Sequence, residues 1–329
     1  MTSNHLDGII AKQHGSTAAF VVFVDVVKYS LRKSVMQQRI IQEFSKALSG
    51  ALESVSAKYI AASQKQNLNL STDMIRIPTG DGAAIVFPFE GMQNIHLDFA
   101  IDFLTHSLSN RGGDTCEIFD GQGWCNCHNF YDVRIGIADG KVIVFKDVND
   151  NYNVAGGIIN TAARVMGLAD KQQIIFTQEA YNNVIDMTED IELESRFVSH
   201  GSIQVKHGIR LDVYQYVGGR DNFINCGIPI QIEISTKLDS IRSSNSTLGK
   251  ATNSRSLSEQ LANLEIVEIL KEMPLPAGLE SMFSNSSGGM PDKASARAFV
   301  EAFKIVDGLM KGKLPQFIDS ALPTDDKKS

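Results

Sequence analysis

The sequence predicts an α/β (α+β) fold: a ferredoxin-like mixed sheet with helices laid on it, followed by a small helical C-terminal region. Three observations point there. Residues 18–24 form a continuous apolar run, the pattern of a strand buried on both faces. Apolar stripes at spacings of three and four alternate with short strand-like segments further along. Turn sequences rich in Gly, Pro and Asp separate several of those segments, so hairpins occur among the crossovers and the sheet is mixed.

In chain order, the first strand stops at Asp25. A long helix follows, striped by Ile41, Phe44, Leu48, Leu52 and Val55. Residues 74–77 and 83–87 flank Pro78-Thr79-Gly80-Asp81-Gly82 as the arms of a hairpin. Leu97, Ile101, Leu104 and Leu108 mark a second helix. A second hairpin is expected from residues 133–138 and 141–145 around Asp139-Gly140, a strong turn dipeptide. Gly156-Gly157 opens a helix over 158–168, and residues 173–176 read as a strand. Thr177 is the expected N-cap of a helix carrying Ala180 and Val184. Residues 202–206 and 210–217 close the segment around His207-Gly208. The predicted order is β-α-β-β-α-β-β-α-β-α-β-β.

Around that core, residues 1–15 read as a polar N-terminal tail and 16–220 as the main domain. Residues 221–258 read as a connecting strand and a linker rich in Ser, Asn and Thr. Residues 259–329 read as a small helical region. It opens on the capping-box sequence Ser256-Leu257-Ser258-Glu259 and carries a later stripe of Phe299, Phe303, Val306 and Met310.

Composition narrows the function classes. With 329 residues the chain has length for about two domains. Hydrophobic residues at 43% and charged residues at 21% exclude disordered and fibrous classes. Lys+Arg number 31 against 38 Asp+Glu, a net charge of −7, which argues against nucleic acid as a partner. No apolar run approaches the roughly 20 residues that span a bilayer, and no secretion signal opens the chain. The expectation is a cytoplasmic protein without a membrane partner.

Two carboxylates stand out by position. Asp25 ends the most apolar strand, and Asp81 sits in a glycine-flanked turn. If the first strand lies beside the 74–87 hairpin, both reach one end of the sheet, where paired Asp oxygens suit Mg²⁺ or Mn²⁺. Taken singly, each reads as well as a strand terminator or a turn former. In Tyr152-Asn153-Val154-Ala155-Gly156-Gly157-Ile158-Ile159-Asn160-Thr161-Ala162-Ala163-Arg164, Asn160 and Arg164 stand at i and i+4 on one helix face. Such a pair can hold a sugar and a phosphate, the guanidinium matching phosphate oxygens bidentately.

Five blocks in order resemble the class III nucleotidyl cyclases, the family of adenylate and guanylate cyclases. They are Phe23-Val24-Asp25-Val26-Val27-Lys28-Tyr29-Ser30, Gly80-Asp81-Gly82, Arg134-Ile135-Gly136-Ile137, residues 156–164, and Val205-Lys206-His207-Gly208. The resemblance covers roughly residues 16–218, about two-thirds of the chain. It implies that Asp25 and Asp81, with the backbone carbonyl of Val26, hold two Mn²⁺ or Mg²⁺ ions per site. It implies that Asn160 orients the ribose, Arg164 stabilises charge on the phosphate in flight, and Lys206 contacts the terminal phosphates. The substrate is then a nucleoside triphosphate, whose ribose 3′-hydroxyl attacks the α-phosphorus as pyrophosphate leaves. In this family metal aspartates and the Asn/Arg pair come from different subunits. A chain carrying both sets resembles the homodimeric members, with sites at the interface.

Two positions choose the base in the family. Adenylate cyclases have Lys three residues before the glycine of the Gly-Asp turn, and Asp at the second position; guanylate cyclases have Glu and Cys. This sequence has Ile77 and Asn153. Isoleucine cannot hydrogen-bond a base edge, Arg76 should face away from it, and Asn153 fits uracil, cytosine or adenine equally. With a small helical C-terminal region added, the chain looks like the bacterial pyrimidine cyclases of Pycsar anti-phage defence, which make cyclic UMP or cyclic CMP. UTP is the favoured substrate. A bacterial adenylate cyclase with a divergent base pocket, and a cyclase-like nucleotide-binding domain without turnover, stay open.

Cys116, Cys125, Cys127 and His128 cluster between the second helix and the next strands. Zinc is one reading. The Cys-x-Cys-His spacing lacks the usual two-residue spacer, so a plain cysteine-rich insertion is the favoured one.

Overall fold

The computed structural model describes residues 5–12, 15–92, 94–109, 116–205, 208–218 and 223–237. Most belong to one compact unit, Met1–Ile203 with Leu211–Ile232. Of a second unit, Gln204–Arg210 with Glu233–Ser329, the described residues are 204–205, 208–210 and 233–237. Lys206, most of the expected linker and the expected helical C-terminal region lie outside the described residues.

The elements are α1 (His5–Ala11), β1 (Ser16–Val26), α2 (Ser34–Lys58), α3 (Ile60–Lys65), α4 (Leu70–Asp73), β2 (Ile75–Pro78) and β3 (Gly82–Phe87). They continue with α5 (Ile95–Ser109), α6 (Glu117–Gln122), β4 (Val133–Lys146), β5 (Tyr152–Ala155), α7 (Gly157–Met166), β6 (Ile174–Thr177), α8 (Gln178–Asp186), β7 (Phe197–Gln204) and β8 (Arg210–Tyr216). The eight-stranded sheet runs β2-β3-β1-β4-β6-β8-β7, with β5 paired to the far end of β4. The β4–β6 pair is parallel, while β1–β3, β1–β4, β2–β3, β4–β5 and β6–β8 are antiparallel. The mixed α/β architecture is the one the sequence predicts.

Strand alternation on β1 divides the core in two. Phe20, Val22, Val24 and Val26 enter a cluster with Ile40, Phe44 and Val55 of α2, Phe99 and Phe103 of α5, and Val184 of α8. Ala19 and Val21 enter a second cluster with Leu6 of α1 and Ala162 of α7. Helices therefore cover both sheet faces. Thr177 caps α8 as expected, its hydroxyl accepting the Ala180 N–H at 3.3 Å; such a cap is worth about 1 kcal/mol.

Three expectations need correcting. No turn occurs at Asp139-Gly140: β4 runs unbroken through both residues, and the chain reverses beyond Lys146 into β5. Asp139 is buried instead, accepting a hydrogen bond from Asn183. The tail at residues 1–15 carries α1, whose Leu6 is fully buried in the second cluster. Residues 230–237, expected in a connecting strand, are helical. The Asp170 carboxylate accepts the Ile230 N–H at 2.8 Å just after Pro229, and an anion there favours a helix start.

Candidate active site

Three strands build the acidic end of the sheet. Asp25 is the penultimate residue of β1, opposite Gly82 of β3 on one side and Arg134 of β4 on the other. Asp81 precedes β3, and its backbone carbonyl accepts the Val26 N–H at 3.1 Å, which ties the turn to the end of β1. A side chain at Gly82 would run into the Val24 carbonyl. Only glycine lets the turn sit this close.

The Asp81 carboxyl lies near enough to Asp25 to influence its titration. Burial is the largest influence on Asp25 and raises its pKa; Arg134 opposes it, and Asp81 adds to it. The Arg134 guanidinium donates from Nε at 3.0 Å and from Nη2 at 2.8 Å, both to Asp25 Oδ2. Tyr29 stands close enough for Asp81 to raise its pKa further, after burial. The two carboxyls, with the neighbouring Val26 carbonyl, are an oxygen donor set that fits Mg²⁺ or Mn²⁺, ions that favour carboxylate, carbonyl and water ligands; Arg134 supplies no ligand. A divalent cation there would favour the charged form of Asp25 against the burial, and the lesser repulsion from Asp81, that hold its pKa up.

Asn160 and Arg164 are on one face of α7, as the i, i+4 spacing predicts. That face is turned from the sheet: Ala162, Val165 and Met166 are buried, whereas Asn160 is exposed and Arg164 half-buried. Among the described residues no hydrogen bond or ion pair engages either side chain, and none joins them to Asp25 or Asp81. The helix lies close because Gly136 of β4 is bare. A Cβ there would run into backbone atoms of Ala162 and Met166.

Ile77 packs on the second cluster and shares a row with Ala84 of β3 and Phe23 of β1, on the same sheet face as Asp25. Arg76 alternates outward as expected, and donates to the Ser71 carbonyl at 3.2 Å. β5 runs close to β2. Its Tyr152 and Val154 enter the cluster that Ile77 borders, so Asn153 between them alternates to the opposite side. The Asn153 Oδ1 accepts the Val154 N–H at 2.7 Å.

Arg134 is the site residue that the sequence reading passed over, although it stands inside one of the quoted blocks. Its signal was the single charged residue in the predicted 133–138 strand, next to its start.

No family model and no curated protein matches this sequence. Solved structures that show a partial likeness to this chain include cyclases. The adenylyl cyclase CyaB from P. aeruginosa is 17% identical, covers 63% of this chain and 97% of its own, and gives a TM-score of 0.45. The guanylyl cyclase Cya2 is 15% identical over 64% of this chain and 98% of its own, with a TM-score of 0.43. An adenylate cyclase from Trypanosoma brucei is 16% identical over 62% and 91%, also at 0.43. No helix among the described residues is long and apolar enough to cross a membrane.

Proposed function

We propose that this chain is a class III nucleotidyl cyclase that converts a nucleoside triphosphate to a 3′,5′-cyclic nucleotide and pyrophosphate. One observation carries the reading. Asp25 and Asp81 meet at the end of β1, while Asn160 and Arg164 project outward from α7 with no partner among the described residues. An acid pair and a polar pair that face different ways suit a site completed by a second copy of the chain. The proposed assembly is therefore a homodimer with two equivalent interface sites.

Asp25 and Asp81, with the Val26 carbonyl, would hold Mg²⁺ or Mn²⁺, which when bound lowers the pKa of the ribose 3′-hydroxyl and offsets phosphate charge. Asn160 orients the ribose by accepting and donating through its amide. The Arg164 guanidinium donates to the α-phosphate oxygens, where negative charge develops as the 3′-oxygen bonds to phosphorus and the bond to pyrophosphate breaks. Lys206 contacts the terminal phosphates. Positioning and electrostatics supply most of the rate in such transfers, so each of these side chains should matter greatly.

UTP is the proposed substrate and cyclic UMP the product, acting as an anti-phage second messenger. What supports a base other than the usual purines is that Ile77 offers no hydrogen bond to a base edge. The test is incubation of the full chain with ATP, GTP, CTP and UTP in turn, with Mn²⁺, and identification of products by mass spectrometry. Faster formation of cyclic UMP than of any other product supports the reading. Faster cyclic AMP formation would return the chain to the adenylate cyclases. No product from any triphosphate would leave a binding domain.

A further inference from the structure

We propose that Cys116, Cys125, Cys127 and His128 bind one zinc ion as a closed structural site. The spacing alone argues against it, because Cys127 and His128 are adjacent. The fold answers that objection. His128 turns its Nδ1 back to 3.2 Å from Cys127 Sγ, and Cys116 Sγ comes to 3.4 Å from Cys127 Sγ across α6. One ligand atom from each of the four residues lies within 4.8 Å of the others. In a tetrahedral site with Zn–S near 2.3 Å, ligand atoms stand about 3.8 Å apart. The four donors have converged to the size of one coordination shell.

The surroundings prepare these groups as ligands. All four cysteines among the described residues are free, and a separation of 3.4 Å is too long for a disulfide between Cys116 and Cys127. Cys125 Sγ stands 3.8 Å from the His128 carbonyl, so the loop closes back on the cluster. Phe119 and Phe130 pack against Cys116 and Cys125, and the His128 ring stacks on Phe130 at 5.1 Å. Three sulfurs and one imidazole nitrogen select zinc over Mg²⁺ or Ca²⁺, and four protein ligands leave no open position for catalysis.

The ion would fix a loop that props the acidic end of the sheet. Lys28 Nζ donates to the Gln122 carbonyl at 2.7 Å, and the Lys33 N–H donates to Asn126 Oδ1 at 2.8 Å. The buried Arg32 donates to the Cys125 carbonyl at 3.3 Å and to the Phe130 carbonyl at 2.9 Å. The segment held in this way begins two residues after Val26.

The test uses the full chain, purified under reducing conditions without chelator. Elemental analysis should find about one zinc per chain. After the metal is stripped, added Co²⁺ should give the visible bands of a tetrahedral thiolate site. Cys125 is buried and its loss endangers the fold, so the exposed Cys127 carries the mutational test: Cys127→Ser should weaken Co²⁺ binding by about tenfold or more. Cys226→Ser should leave it unchanged. A reduced chain that holds no zinc and gives no cobalt spectrum would overturn the proposal. So would a Cys127→Ser chain that binds as well as its parent, or a Cys116–Cys127 disulfide found by mass spectrometry.

Discussion

Asp25 and Arg134 face each other across the β1–β4 ladder, and two guanidinium nitrogens of Arg134 donate to a single carboxylate oxygen, Asp25 Oδ2. Asp81 acts on the same carboxyl in the opposite sense, raising the Asp25 pKa where Arg134 lowers it. Arg134 is thus a positioning residue: it fixes the carboxyl that the proposed chemistry needs and offsets the charge of the acid pair.

Replacing Arg134 by Met should therefore destabilise the metal-free chain near neutral pH. A charge-assisted, partly buried contact of this kind is worth about 2 kcal/mol. Urea unfolding should report a loss of that size, and Mn²⁺ should restore more stability to the variant than to the parent. Equal gains from Mn²⁺ in both chains would separate Arg134 from the acid pair.

Gly136→Ala should damage the fold and the outward face of α7 together. The added methyl meets backbone atoms of Ala162 and Met166, which cannot rotate away as a side chain can. Overpacking against backbone costs about 3 kcal/mol. A shift in the urea midpoint with unchanged slope would measure it, and a variant as stable as the parent would contradict the close packing of α7 on β4.

A buried pair beneath α5 governs a pH response. His96 Nε2 lies 3.7 Å from Asp139 Oδ2, and both side chains are almost fully buried. Burial pushes Asp139 up to about 7; Asn183 opposes that shift and Glu179 adds to it. Burial pushes His96 down to about 3, against the charge of Asp98. A raised carboxyl keeps in the fold a proton that the unfolded chain releases above its ordinary 3.8, so stability falls as pH rises from there to about 7. The lowered histidine acts oppositely, with stability rising from pH about 3 to its ordinary 6.5. The two slopes oppose each other over their shared range. Asp139→Asn removes the first alone, so its stability relative to the parent should rise by about 1.4 kcal/mol per pH unit across that window. Parallel pH profiles for the two chains would mean that Asp139 titrates in the fold as it does in the unfolded chain.

Much of this was legible in the sequence because it depends on local pattern. The apolar run of β1, the stripes of α2 and α5, and the Thr177 cap each appear in the structure. The predicted elements also match the main ones except at β4, which replaces the two strands expected over 133–138 and 141–145, and at β5, which was not expected. Asp139-Gly140 misled because a turn dipeptide looks the same inside a long strand. What distinguishes it is tertiary: Asp139 meets Asn183, and Gly140 lies under Ile158. The α1 stripe of Leu6, Ile9 and Ile10 was present but short. The Asp25–Arg134 pair could not be read without the β1–β4 register, nor the turn of His128 toward Cys127 without the loop's path.

The central claim is that Asp25 and Arg164 serve one site from two chains, and mixing inactive variants tests it most directly. Asp25→Ala and Arg164→Ala should each stay folded by circular dichroism and each lose cyclisation. Co-expressed, they form heterodimers in which one site carries both lesions and the other carries neither. Random pairing makes about half the dimers mixed, so about a quarter of all sites are intact and activity should return to about a quarter of the parent value. A mixture as inactive as either variant alone, with heterodimers demonstrated by tagged pull-down, would contradict the shared site.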